Sequence, residues 1–161
     1  MKRSIWWWMT GVSFIICHLA FSVSACSSID CPVESRVYTV YELADTLRDT
    51  LNVTTRTVKG KDTLLINGTA NATTLSLQIS YAAPVDTFVF KTLRLPAVDT
   101  VWVAKENIPH FESVDCAAAY FHHITSVTCT HQGIDSIVLI HPTVNYDASQ
   151  AHFRIYFKAR P

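Results

Sequence analysis

Glycine and charge are both scarce in this chain. Four glycines in 161 residues leave no Gly-rich phosphate loop and no flexible linker, and neither a Gly-x-Ser-x-Gly elbow nor a His-Glu-x-x-His pair is present. Charged residues make up only 16%, with 13 basic side chains against 13 acidic ones. Zero net charge excludes the basic footprint of a nucleic-acid binder. So little charge beside 49% hydrophobic residues excludes a disordered chain. No window carries a convincing 3.6-residue apolar period, so no amphipathic helix is expected.

What is present begins with an apolar run at the N-terminus. Lys2 and Arg3 form a short positive region, residues 5–21 are largely apolar, and the segment ends Val23-Ser24-Ala25-Cys26. This is the three-part pattern of a secretory signal, with small residues before the cleavage point. Val-Ser-Ala-Cys resembles the lipobox of bacterial lipoproteins, and the resemblance implies that residues 1–25 are removed and that the Cys26 thiol carries a diacylglyceryl group. Two acyl chains suffice for stable anchoring where one does not. The alternatives are an uncleaved anchor of about 20 apolar residues, which Thr10, Gly11, Ser13 and His18 weaken, and a soluble secreted product cut after Ala25.

Removal of residues 1–25 takes away two of the 13 basic side chains and no acidic one, leaving a formal charge of −2 on 136 residues. A chain of that length buries roughly two-thirds of its unfolded surface and folds as one domain. The expected organisation is a lipidated N-terminus and short tether over 26–36, followed by a single domain over 37–161. About ten residues of tether reach at most about 40 Å, so the domain stays close to its membrane.

Of five cysteines, Cys17 leaves with the signal and Cys26 takes the lipid, so Cys31, Cys116 and Cys129 remain in an exported chain. Three cysteines permit one bridge and one free thiol. Cys31 and Cys116 lie outside the strand patterns and are the expected pair. Cys129 sits in an alternating run, as a small buried hydrophobe would.

Threonine and valine dominate the mature chain, which is strand chemistry. The clearest alternation sets Leu75, Leu77, Ile79 and Tyr81 against Thr74, Ser76, Gln78 and Ser80, and Phe153, Ile155 and Phe157 against Arg154, Tyr156 and Lys158. Each reads as a half-buried strand. Further strands are expected at 37–43, 50–58, 63–67, 87–93, 100–105, 120–130 and 134–140. Turn signals at Lys59-Gly60, Asn67-Gly68, Ala83-Pro84 and Gln132-Gly133 separate them, with Lys59-Gly60 and Gln132-Gly133 as hairpin turns. Residues 45–48 suggest one helical turn, and 107–118 an irregular crossover. The expected fold is all-β: a single antiparallel β-sandwich of Ig-like or Greek-key type with about nine strands.

Asp-Thr or Asp-Ser recurs where strands open, at Asp49-Thr50, Asp62-Thr63, Asp86-Thr87, Asp99-Thr100 and Asp135-Ser136, with Asp45-Thr46 as a sixth instance. The physical reading is that Asp bonds nearby backbone N–H groups at turns while Thr starts strands. Asp-Ser/Thr followed by an aliphatic residue also resembles the acceptor motif of the general O-glycosylation system of Bacteroidetes, which implies Thr46, Thr50, Thr63, Thr100 and Ser136 as candidate glycosylation sites. Phe88 departs from the motif after Thr87.

Six histidines remain in the mature chain, but His122 and His123 are adjacent and on a strand would point to opposite faces, so they cannot chelate together. No metal site, catalytic residue or cofactor is assigned. Trp102 and the tyrosines could furnish a sugar-stacking surface, although aromatics in a sandwich are more often core.

The Cys26-Ser-Ser-Ile-Asp-Cys31-Pro start, the run from Pro109 through His110, Phe111, Glu112, Ser113, Val114 and Asp115 to Cys116, and the closing His152-Phe153-Arg154-Ile155-Tyr156-Phe157 resemble an uncharacterised family of small Bacteroidetes cell-envelope lipoproteins. The resemblance implies location and class without an activity. The expected function is that of a membrane-anchored, non-catalytic interaction or accessory module. Its expected partners are the membrane, through the lipid, and envelope proteins or glycans, with no nucleic acid. The alternative is a glycan- or peptide-binding or hydrolytic module. Only a lone Asp30 follows Cys26 closely, which favours the periplasmic face of the outer membrane over surface exposure.

Overall fold

Alternation of β-branched and polar residues produces ten strands in the computed structural model, which describes residues 31, 36–45, 47, 49–56, 61–94 and 96–159. They are β1 (Tyr38–Leu43), β2 (Thr50–Arg56), β3 (Asp62–Ala70), β4 (Thr74–Gln78), β5 (Val85–Thr92), β6 (Ala97–His110), β7 (Ala119–Cys129), β8 (Ile134–Leu139), β9 (Thr143–Val144) and β10 (Phe153–Phe157). All nine expected strands are present, and the two-residue β9 is additional. The expected Cys26 lipidation, the signal and most of the tether, Thr46 and the Lys59-Gly60 turn lie outside the described residues. The helical turn expected at 45–48 includes Thr46 and Arg48, which lie outside the described residues.

Two sheets form, ordered β4-β1-β10-β8 and β3-β2-β5-β6-β7-β9. Pairing is antiparallel except that β1 runs parallel to β10, a departure from the all-antiparallel expectation. The alternation faces both sheets onto one core, in which Tyr41, Leu77, Phe153 and Ile155 of the smaller sheet meet Leu51, Val53, Phe88, Phe90 and Val103 of the larger. Tyr41 is its centre, stacked on Phe153 at 4.7 Å and edge-on to Phe88 and Phe90. Its buried hydroxyl accepts a long hydrogen bond from Thr39, and burial pushes its pKa well up.

Three expectations change. Gln132-Gly133 is no hairpin turn, because β7 pairs with β6 and β9 whereas β8 pairs with β10, so the segment carries the chain from one sheet to the other. Asn67-Gly68 is a bulge inside β3, where the register shifts opposite Asn52 and Asn52 Oδ1 accepts from the Gly68 N–H at 2.7 Å. Gly68 holds φ +67 there, a left-handed conformation that glycine adopts without strain. Residues 107–110 belong to β6, and 111–118 link β6 to β7 within one hairpin. Pro109 suggests irregularity, but β6 has already outrun β5, whose pairing ends at Val85 opposite Ala104, and a free edge tolerates proline.

The Asp-Thr repeat divides by burial. Asp99 is 2% exposed, and its carboxylate accepts from the Gln132, Gly133 and Ile134 N–H groups at 2.7 to 2.9 Å and from the Thr130 hydroxyl at 3.0 Å. Asp49 accepts from the N–H groups of Thr50 and Arg94. Asp86 accepts from the Ser80 N–H and pairs with Lys105 Nζ at 2.8 Å. Asp62 lies on the surface beside Arg56.

Asp99→Asn turns an amide group toward donors that need an acceptor, so it costs about 3 kcal/mol, whereas Asp62→Asn stays within about 0.5 kcal/mol; urea unfolding of both variants measures the contrast. Gly68→Ala meets only Thr50 Cγ2 at 3.9 Å, so its cost is that of the backbone alone, about 1 kcal/mol by the same measurement.

Candidate functional site

β6 is the longest strand among the described residues, and its residues 105–110 pair with β7 alone. With β7 this stretch makes a ribbon that has left β5 behind; β9 flanks β7 only at His122 and His123, so 108–110 and 119–121 run on as two strands alone. Isolated ribbons are marginal, and this one is held by specific contacts at its base. The Lys105 N–H donates to the Pro84 carbonyl, Lys105 Nζ to the Ala83 carbonyl and Asn107 Nδ2 to the Tyr81 carbonyl. Lys105 is fully buried and meets both the Ala83 carbonyl and the Asp86 carboxylate, the condition under which a buried charge is tolerated.

Rings pack on both sides of the ribbon. Tyr81 stacks on Tyr120 at 4.8 Å. His110 stacks on Phe121 at 4.0 Å, and Tyr146 stands edge-on to both. His110 Nε2 contacts Glu112 Oε1 at 2.8 Å. Each stacked ring therefore has one face covered by its partner, while Tyr81 stays exposed on the other. Beyond them the ribbon ends in 111–118, where Phe111 is 68% and Val114 100% exposed, with Ile108 exposed behind them. Cys116 fixes this end by a disulfide to Cys31, a bridge 85 residues apart in sequence that stabilises by roughly 4 to 5 kcal/mol in the chain-entropy model.

The sequence-derived candidates do not converge on this end. Thr50, Thr63, Thr100 and Ser136 are spread over β2, β3, β6 and β8. Thr63 is exposed and the other three are half-buried. Among the described residues Cys129 is the free thiol, and burial, with the Asp99 charge nearby, raises its pKa away from nucleophilic reactivity. His122 is buried and His123 exposed, as opposite faces require. Among the described residues no three His, Cys, Asp or Glu side chains gather as metal donors.

Sequence reasoning missed two histidines that act as backbone and side-chain clasps. His152 Nδ1 accepts from the Val40 N–H at 3.0 Å while the His152 N–H donates to the Val40 carbonyl at 2.8 Å. These bonds lie beside the parallel β1–β10 junction. His122 Nδ1 meets Asn107 Oδ1 at 2.8 Å across the ribbon. Their partners are 112 and 15 residues away, beyond any local pattern.

A family of unknown function, DUF6452, matches residues 50–157, from the first residue of β2 to the last of β10. The chain belongs to that family. No curated protein and no solved structure matches it. The DUF6452 region contains the whole ribbon and both clasp histidines, while β1 and Cys31 precede it.

Burial, reinforced by the Lys105 charge, pulls the His122 pKa down from 6.5 to about 4, and burial also lowers that of His152. The folded state thus binds fewer protons than the unfolded chain below pH 6.5, so this stability is complete above pH 6.5 and is lost as pH falls toward 4. Between pH 7.5 and 5, His122 alone accounts for about 2 kcal/mol. Urea midpoints at the two pH values measure the loss, and His122→Gln diminishes the difference.

Proposed function

We propose that this chain is an exported lipoprotein of the bacterial envelope, anchored by a diacylglyceryl group on Cys26, and that its β domain is a non-catalytic interaction module. The finer affinity, to small Bacteroidetes envelope lipoproteins with an Ig-like or Greek-key sandwich, belongs to the same reading. So does residence on the periplasmic face of the outer membrane.

The observation that carries the non-catalytic part is how the buried titratable groups are used. Asp86, Asp99, Lys105, His122 and His152 each hold backbone or a neighbouring side chain in place, and among the described residues no buried side-chain nitrogen or oxygen lacks a hydrogen-bond partner. Catalytic groups are typically held at an accessible cleft with part of their hydrogen-bonding capacity free for substrate. Here that capacity is taken up inside the domain. The stacked pairs near the ribbon end likewise cover one face of each ring that a sugar-binding platform would present.

Intact mass of the protein purified from its native envelope tests the reading. The expected product begins at Cys26 and carries acyl chains, with any glycan on the Asp-Thr sites adding further mass. A product that retains Met1, or one that starts at Cys26 without acyl mass, overturns the anchoring. Cys26→Ala is expected to leave the protein in the soluble fraction.

A further inference from the structure

We infer that the end of the β6–β7 ribbon is a membrane-contact surface: Phe111 and Val114, with Ile108 behind them, seat on the acyl boundary of the bilayer in which the Cys26 lipid is anchored. The inference rests on that anchoring and adds a second, non-covalent contact to it.

Chain length and the disulfide keep one end of the domain close to the anchored cysteine. Five residues from Cys26 to Cys31 span at most about 18 Å, and the Cys31 and Cys116 Cα atoms are 5.5 Å apart. Cys116 therefore lies within about 25 Å of Cys26 however the tether runs. β6 is 14 residues long, roughly 45 Å from end to end. The bridge and the short tether thus hold the ribbon end near the anchored cysteine, whereas no such restraint holds the opposite end of β6.

The chemistry of that end suits lipid. Val114 has no contact that removes it from solvent and Phe111 keeps 68% of its surface exposed; clustered apolar exposure at one extremity marks an interaction surface, whereas scattered exposure does not. Tyr81 and Tyr120 stand just behind, at the level where amphipathic rings favour the headgroup layer. No Lys or Arg occurs from 106 to 130, and the carboxylates of the end are Glu112, already paired with His110, and Asp115. The segment from 106 to 130 therefore offers no cation to anionic headgroups, and the contact it makes is apolar.

Full-length acylated protein carrying Phe111→Trp, reconstituted into phosphatidylcholine vesicles with brominated acyl chains, tests this. Trp102, some 30 Å back along the same strand, is the internal reference. The expected result is that Trp at 111 is quenched roughly threefold more strongly than Trp102, because side chains seated at the acyl boundary enter it by about 5 to 10 Å. The expected effect of adding anionic phospholipid is unchanged or weaker quenching.

Equal quenching of the two tryptophans in acylated protein overturns the lipid contact and leaves the anchoring intact. So does quenching that rises steeply with anionic lipid, which would mean attraction by charge. A photo-crosslinker at position 114 that joins two copies, with quenching weak, assigns the surface to a second copy and also overturns it. Protein without acyl mass at Cys26 overturns the anchoring and this inference together.

Discussion

The Asp99 carboxylate bears on almost everything else in the domain. It sits at the start of β6 and accepts from three consecutive amides at the corner where the chain leaves the larger sheet for the smaller one. A chain crossing between sheets breaks its ladder, and amides freed in a buried corner each cost as much as a lost hydrogen bond unless something accepts from them. One two-oxygen acceptor satisfies all three. The smaller sheet follows from that turn, because β8 supplies the partner for β10, and β10 in turn supplies the parallel partner for β1.

The same device recurs with different partners. Asp49 and Asp86 accept from backbone N–H groups at other strand entries, and Lys105 and His152 extend the scheme by bonding both carbonyls and N–H groups. Polar side chains thus finish the edges of a core made otherwise of Tyr41, the phenylalanines and branched aliphatics. Such groups are costly to bury singly, yet fully partnered they fix one arrangement of loops over the sheets.

Strand positions were readable because alternation is a local property: Leu75, Leu77 and Ile79, or Phe153 and Ile155, announce their faces within five residues. Sheet membership was not. Gln132-Gly133 has the composition of a hairpin turn, and what makes it a crossover is an aspartate more than 30 residues upstream. Asn67-Gly68 likewise has turn chemistry, but glycine in the left-handed region serves a bulge as well as a turn, and only pairing with Asn52 decides. Pro109 hid the extension of β6 because its cost depends on whether a neighbouring strand needs its missing N–H. Of the candidate site, the Cys31–Cys116 pairing was legible by elimination among three cysteines, while the ribbon, its stacked rings and its exposed end depend on where β5 stops.

The disulfide also sets a path for force. A pull on the N-terminal tether reaches Cys31 first, and there the load divides between the backbone leading to β1 and the bridge to Cys116. Without the bridge, tension would go entirely into β1, which is held by β4 on one side and by three register positions of β10 on the other. With it, part of the tension is carried by the ribbon along the strand direction of β6 and β7, where many hydrogen bonds lie across the load and share it. Strands loaded in shear resist more than strands peeled one bond at a time. The covalent link therefore protects the first strand of the domain from being stripped out by a pull on the chain that precedes it.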